Sequence, residues 1–146
     1  MASGGNAAPV VRSFPGEPAS LPRVRAFVRE EAGRASIPVA TRDDLLLAVS
    51  EACTNAVLHS GSAWVEVTWT VSAGRVDVTV KDGGIFDRTV SSALGDHVGG
   101  FGIPLMMALM DRVTIRHGSS DSPGTLVVLS KRRTANRHPM GVGSQR

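Results

Sequence analysis

Two polar side chains stand about one helical turn apart within residues 45–61, LLLAVSEACTNAVLHSG. Glu51 and Asn55 are separated by four positions, so in a helix they are neighbours on one face. The carboxamide oxygen of asparagine is a neutral ligand that Mg²⁺ accepts, and a carboxylate can orient or deprotonate an attacking hydroxyl group. For this pair alone, a solvated helix face is the more common interpretation.

A strand pattern ends in Asp82, which is followed by Gly83 and Gly84. A carboxylate at this point can accept a hydrogen bond from an exocyclic amine such as that of adenine, and glycine lets the backbone approach a flat ring closely. Taken alone, the same residues are typical of an ordinary turn.

Two further glycine-containing segments suit a nucleotide. Gly100 and Gly102, in GGFGI, open a helical pattern, where free N–H groups favour phosphate. Gly124 and Thr125 open the last strand pattern, and the threonine hydroxyl could reach a ring or a water molecule. Each of these signals is weak by itself, since both patterns are also typical of turns.

Hydropathy periodicity predicts the elements that position these residues. The order indicates an α+β two-layer sandwich, with helices on one face of a mostly antiparallel sheet. Ser20 and Thr41 are predicted to cap the first two helices, and Gly61 to end the second. The predicted elements are strand Val10–Phe14, helix 20–35, helix 41–60, strands Ala63–Val71 and Arg75–Lys81, an irregular segment 82–102, helix Ile103–Asp111, and strands Val113–Arg116 and Thr125–Leu129.

The order and spacing of the four segments resemble the N, G1, G2 and G3 boxes of the GHKL ATPase superfamily, which has the Bergerat fold. Residues 45–61, GFGIPLMMALMDRV (100–113) and FPGEPASLPRVRAFV (14–28) are similar to bacterial anti-sigma-factor serine kinases of the actinomycete type. The resemblance covers about residues 10–131, nearly the whole predicted domain.

The resemblance implies an ATP site with Mg²⁺. Asn55 would ligate the Mg²⁺ that bridges the ATP phosphates, and Glu51 would be the general base toward a serine hydroxyl. Gly100 and Gly102, with Ile103 after them, would hold the phosphates at the start of a helix. Such a site agrees with phosphoryl transfer, which depends on positioning of the reacting groups and neutralisation of the phosphate charge more than on covalent catalysis.

The resemblance also assigns the adenine side of the site. Asp82 would bind the adenine amino group, Gly84 would lie beneath the ring, and Thr125 would support adenine, directly or through water. Residues 85–99 would be the ATP lid. The G1 box of the family reads Asp-x-Gly-x-Gly, whereas in this chain either Phe86 replaces the second glycine or one residue is missing.

The function implied is an ATP-binding anti-sigma regulator with serine/threonine kinase activity. It would bind a sigma factor, phosphorylate an anti-sigma-factor antagonist protein and form a homodimer, with Arg23, Arg25 and Arg29 as a candidate partner surface. The altered G1 box favours an alternative, a non-catalytic protein-binding regulator with a degenerate nucleotide site. A sensor histidine kinase is less favoured, because no helix with a phospho-acceptor histidine precedes the domain.

Composition limits the remaining function classes. The chain has 146 residues, 42% of them hydrophobic, with a pI of about 10.0 and a formal charge of +3. Residues 131–146 hold five basic residues and no acid, so the rest of the chain is expected to be slightly acidic and a nucleic-acid partner is not favoured. We predict a loose segment 1–9, one domain at 10–131 and a basic flexible tail at 132–146.

No run of apolar residues approaches the length of a membrane helix, no secretory signal is recognisable, and a single cysteine suits a reducing compartment. A cytoplasmic protein without membrane contact is therefore expected. Cys53 falls on the apolar stripe of the second helix and is predicted to be a buried hydrophobic residue, not a nucleophile. The four histidines do not have metal-ligand spacing, so no zinc site is expected.

Overall fold

The computed structural model describes residues 8–84 and 102–133. Within these ranges, five strands form one antiparallel sheet in the order β1-β2-β3-β5-β4. The strands are β1 (Val10–Pro15), β2 (Trp64–Val71), β3 (Arg75–Asp82), β4 (Arg112–His117) and β5 (Thr125–Arg132), and the helices are α1 (Leu21–Arg34), α2 (Val39–His59) and α3, whose described residues are 102–109. The predicted α+β two-layer architecture is confirmed.

The sheet presents an apolar face to the helices because the side chains of its central strand, β3, alternate between buried and more exposed positions. In β3, Val76, Val78 and Val80 are fully buried, while the residues between them are half-exposed or exposed. The register places Val67 opposite Val80, so the buried side chains of neighbouring strands stack in rows. Trp69 lies on this buried face and Trp64 is 39% exposed, which confirms that the two tryptophans point to opposite faces.

The second layer comes from α2, whose predicted apolar stripe is fully buried: Leu45, Val49, Ala52, Cys53 and Ala56. Burial raises the pKa of the Cys53 thiol to about 12, which agrees with a buried hydrophobic role and disfavours a thiolate nucleophile. Among the described helices, none is long and apolar enough to cross a membrane.

The predicted start of α1 is confirmed in position, because Ser20 is its N-cap residue, but the predicted side-chain cap is absent and the predicted start of α2 is wrong. Ser20 adopts helical dihedral angles at the end of a short 3-10 turn, and its hydroxyl donates to the Pro15 carbonyl at 2.7 Å instead of capping α1. α2 begins at Val39, directly after Pro38, so Thr41 lies inside its first turn. Gly61 follows α2 with a φ of +72°, as expected for a glycine that ends a helix.

The C-terminal boundary lies later than predicted. β5 continues through Arg132, and Arg133 donates from its guanidinium to the Ala35 carbonyl at 2.9 Å and to the Ser72 carbonyl at 3.0 Å. Two of the four basic residues in the predicted tail, Arg132 and Arg133, therefore lie in the fold together with Lys131. Residues 1–133 hold one more basic than acidic residue, so the expectation of a slightly acidic domain does not hold.

Candidate functional site

α3 brings Gly102 against the first pair of predicted residues, Glu51 and Asn55, which lie on α2. Glu51 and Asn55 are half-buried on the side of α2 that faces the start of the described part of α3. A Cβ atom added to Gly102 would lie 3.2 Å from Glu51 Oε1 and 3.4 Å from Asn55 Nδ2. Gly102 and the Glu51–Asn55 pair, about fifty positions apart in sequence, thus lie against each other.

Asp82 occupies the end of β3 and is only 4% exposed. Its Oδ1 accepts a hydrogen bond from the Gly84 N–H at 3.0 Å, and the sheet register places it opposite Thr125. Burial raises the pKa of the Asp82 carboxyl, an effect opposed by hydrogen bonds from Gly84, Ser60 and Thr125 and by the nearby His117. The result is a buried acceptor held in place by the backbone.

Two glycines let three chain segments meet around Asp82. A Cβ atom on Gly84 would overlap the Ser60 carbonyl oxygen, so the segment after β3 lies directly on the end of α2. Gly124 has a φ of +134°, and a Cβ there would overlap the carbonyl oxygen of Asp82. Only glycine permits these approaches at the ends of β3 and α2 and at the start of β5.

Sequence reasoning missed two serines that hold these segments together. The Ser62 hydroxyl accepts from the N–H groups of Gly83 at 3.0 Å and Trp64 at 3.2 Å, and donates to the Trp64 carbonyl at 2.7 Å. The Ser60 hydroxyl oxygen lies 2.5 Å from the Ala56 carbonyl oxygen and accepts from the Ser62 N–H at 3.1 Å. The local signal is the Ser-Gly-Ser sequence after the helix, since serine hydroxyls commonly bond nearby backbone groups in turns.

Thr125 lies opposite Asp82 on the neighbouring strand, and its hydroxyl is buried without a partner among the described residues. The Nε2 atom of His59, on α2, is buried without a described partner in the same way. A buried hydroxyl without a partner is uncommon in proteins and fits a group that bonds a ligand or a water molecule. A cleft of about 180 Å³ opens at this end of the sheet, lined in part by Asp82, His117 and Thr125.

Of the remaining predicted site residues, Ile103 lies among the described residues and Gly100 does not. Ile103 lies on α3 and is 39% exposed, whereas Met106 and Met110 pack into the core. Gly100, the predicted lid at 85–99 and the altered G1 position Phe86 lie outside the described residues. Within the described ranges, no group of three or more His, Cys, Asp or Glu side chains is arranged to hold a metal ion.

The sequence pattern of a known family, described as "Histidine kinase-like ATPase domain", matches residues 14–131. The chain belongs to this family. It is 32% identical over 136 residues to "Serine-protein kinase RsbW" of Bacillus pumilus, covering 81% of this chain and 82% of that protein. It is 31% identical over 143 residues to the protein of the same name in Bacillus subtilis, with 86% of each covered.

A solved structure shares the fold of this histidine kinase-like ATPase domain. The structure is that of the RsbU and RsbW domains of Rv1364c from Mycobacterium tuberculosis, with a TM-score of 0.68 at 22% identity. The match covers 86% of this chain and 32% of that one, so the present chain spans about a third of the larger protein. The resemblance to anti-sigma-factor serine kinases noted in the sequence is confirmed by these relatives.

Proposed function

We propose that the chain is an ATP-binding anti-sigma regulator that transfers the terminal phosphoryl group of ATP to a serine of an antagonist protein. The observation that carries the proposal is the contact between two distant motifs: Gly102 lies against Glu51 and Asn55. The names of the relatives, serine-protein kinases, support the same activity.

The residues at the end of β3 suit the adenine ring, and we call Asp82, Gly84 and Thr125 the base end of the site. The Asp82 carboxylate is a fixed, buried acceptor, and the Thr125 hydroxyl beside it has no described partner. An exocyclic amine needs an acceptor of this kind, because a buried donor without a partner costs about 1–3 kcal/mol. These groups would therefore select adenine by its amino group.

The residues on α2 and α3 suit the phosphates, and we call Glu51, Asn55 and Gly102 the phosphate end. Asn55 would supply an amide oxygen to Mg²⁺, an ion that binds through few protein ligands together with substrate phosphates. Bound Mg²⁺ would neutralise charge on the phosphates. The Glu51 carboxylate would accept the proton of the serine hydroxyl, and the backbone at Gly102 leaves room for a phosphate group.

A sigma factor, an antagonist protein and a second copy of the chain are the proposed protein partners. The arginines of α1 differ in their availability for such contacts. Arg23 lies 5.8 Å from the centre of the Phe14 ring and so also packs α1 onto β1, whereas Arg29 is exposed. Arg29 is therefore the better candidate for a partner contact that leaves the fold intact.

The deciding experiment incubates the protein with labelled ATP, Mg²⁺ and candidate antagonist proteins. Glu51→Gln should reduce phosphoryl transfer by about 100-fold or more while ATP still binds, since general-base catalysis contributes about 10²–10⁴-fold. Asn55→Ala should lose Mg²⁺-dependent ATP binding as well as transfer. Glu66→Gln, a half-exposed glutamate on β2, is the matched control and should behave as the unchanged protein. Equal labelling by all four proteins would refute the roles of Glu51 and Asn55.

The second candidate is a regulator that associates with proteins without using ATP. The observation that favours it is Phe86 in the G1 box, where the family has glycine. Calorimetry with ATP and Mg²⁺ separates the two candidates: binding supports the kinase, and absence of binding at millimolar ATP supports the non-catalytic regulator.

A further inference from the structure

A lysine on β5 joins the two helices of the phosphate end at the end away from Glu51 and Asn55. The Lys131 ammonium donates to the Leu109 carbonyl at 2.7 Å and lies 3.2 Å from Asp44 Oδ2. Leu109 is the last helical residue of α3, and Asp44 lies near the start of α2. The Lys131 side chain is only 18% exposed, so it is a partly buried link between α2, α3 and β5.

The contacts of α3 with α2 therefore lie at two ends. Near the start of α3, Gly102 approaches Glu51 and Asn55. At the last helical residue of α3, Leu109, the helix is linked through Lys131 to Asp44. The two ends of the described part of α3 are about 10 Å apart, from a rise of about 1.5 Å per residue. The helices thus run side by side in opposite directions, and a shift at Leu109 moves Gly102.

Electrostatics favours this link. The last carbonyl groups of a helix have no partner within the helix, and a cation near them is stabilised by the helix dipole. Asp44 supplies the opposite charge on the neighbouring helix. Within the described part of the chain, Lys131 is the only side chain whose polar contacts connect α2 to α3.

We propose that Lys131 is a positioning residue for phosphoryl transfer, because it fixes α3 against α2 and so sets the spacing of Gly102 from Glu51 and Asn55. This inference rests on the proposed kinase function. Lys131 contacts neither Glu51 nor Asn55, and it acts through the helix.

The test compares Lys131→Met, which keeps a long apolar side chain and removes the charge, with Arg132→Met. Arg132 is the adjacent exposed cation, and the structure shows only its backbone N–H bonded, to Asp111. In the nucleotide-free protein, Lys131→Met should speed hydrogen exchange in residues 102–109 by about tenfold, and Arg132→Met should leave it unchanged.

The kinetic arm measures Lys131→Met, Asp44→Asn and Lys131→Arg with ATP and the antagonist protein. Lys131→Met should raise the KM for ATP by about tenfold or more, Asp44→Asn should do so to a smaller extent, and Lys131→Arg should restore it, because a guanidinium group can reach both acceptors. A lower melting temperature with unchanged exchange in 102–109 and unchanged KM would show that Lys131 only adds stability, and would overturn the inference.

The two proposals fail in different ways. If the unchanged protein neither binds ATP nor transfers phosphate, the kinase proposal fails, and a Lys131→Met variant with unchanged exchange then overturns the link as well. If the unchanged protein is active and Lys131→Met keeps both its exchange and its KM, the inference about Lys131 fails alone.

Discussion

The base end and the phosphate end of the site both depend on a glycine, but the glycines meet different neighbours. At Gly84, an added Cβ would overlap the Ser60 carbonyl and lie 2.8 Å from the Ser62 nitrogen, both of them backbone atoms. At Gly102, the nearest atoms belong to the side chains of Glu51 and Asn55, at 3.2 Å or more. A backbone contact cannot relax locally and a side-chain contact can, so the base end is expected to be rigid and the phosphate end adaptable.

The largest effect is expected at Gly84. Gly84→Ala should lower the free energy of unfolding by about 3 kcal/mol or more, because overpacking against backbone forces the chain segments apart. Urea denaturation measures the change. The control is Gly74→Ala in the β2–β3 turn, where a Cβ meets nothing within 4 Å and the effect should stay within about 0.5 kcal/mol. Equal stability of the two variants would contradict a rigid base end.

Asp82→Asn tests whether the buried charge of Asp82 lowers the stability of the protein while it contributes to ATP binding. Burial raises the folded-state pKa of Asp82 above its unfolded value, so its charge disfavours folding in full above the folded pKa. This cost declines as the pH falls from the folded pKa to the unfolded pKa, and it is absent below both. At neutral pH the variant should be at least as stable as the unchanged protein.

The same variant should bind ATP about tenfold or more weakly, since its amide donor would face the adenine amino group. As the pH is lowered, ATP binding by the unchanged protein should begin to weaken at a higher pH than the ordinary pKa of an aspartate would predict. ATP binding by Asp82→Asn should not weaken in this pH range. Calorimetry over a pH series measures both. Binding of ATP that is equally tight in the two proteins would remove Asp82 from the base end.

Gly102→Ala tests the adaptable end. The unfolding free energy should be unchanged or raised by up to about 1 kcal/mol, because alanine has a higher helix propensity than glycine. The nearby side chains of Glu51 and Asn55 can rotate away from the added methyl group. ATP binding should weaken by less than about tenfold, since the same side chains are displaced from the phosphates. A loss of stability as large as that of Gly84→Ala would remove the difference between the two ends.

The smallest effect is expected at Thr125. Thr125→Val replaces a buried hydroxyl without a described partner by a methyl group, so the unfolding free energy should rise by about 1 kcal/mol or less. The affinity for ATP should fall slightly at the same time. An unchanged affinity would show that the Thr125 hydroxyl does not serve the nucleotide.

Much of the fold could be predicted because its signals are local. The alternation in β2 and β3 and the apolar stripe of α2 have periods of two and about 3.6 residues, which one sequence displays directly. Glu51 and Asn55 could be paired for the same reason. The helix caps were harder to predict. Ser20 does precede α1, but its hydroxyl bonds elsewhere, and α2 begins directly after Pro38, two residues before Thr41.

Contacts between distant residues could not be predicted in this way. Lys131 reaches Leu109 and Asp44, and Arg133 reaches Ala35 across 98 positions, and neither contact follows any period in the chain. In the sequence, Lys131 and Arg133 are only two members of a run of basic residues. Ser60 and Ser62 are similar, since their hydrogen bonds to the segment around Gly83 exist only when α2 and β3 have docked.

Arg133 has a practical consequence for how the protein can be handled. Its backbone N–H donates to the Gly74 carbonyl, at the end of β3 opposite to Asp82, and β3 spans about 24 Å between these ends. An affinity tag or dye attached after Arg133 would begin far from the site. Shortening the chain to Ser130 would instead remove Lys131 and Arg133 together, so the contribution of the basic run to nucleic-acid binding is better measured by neutralising Arg137 and Arg146.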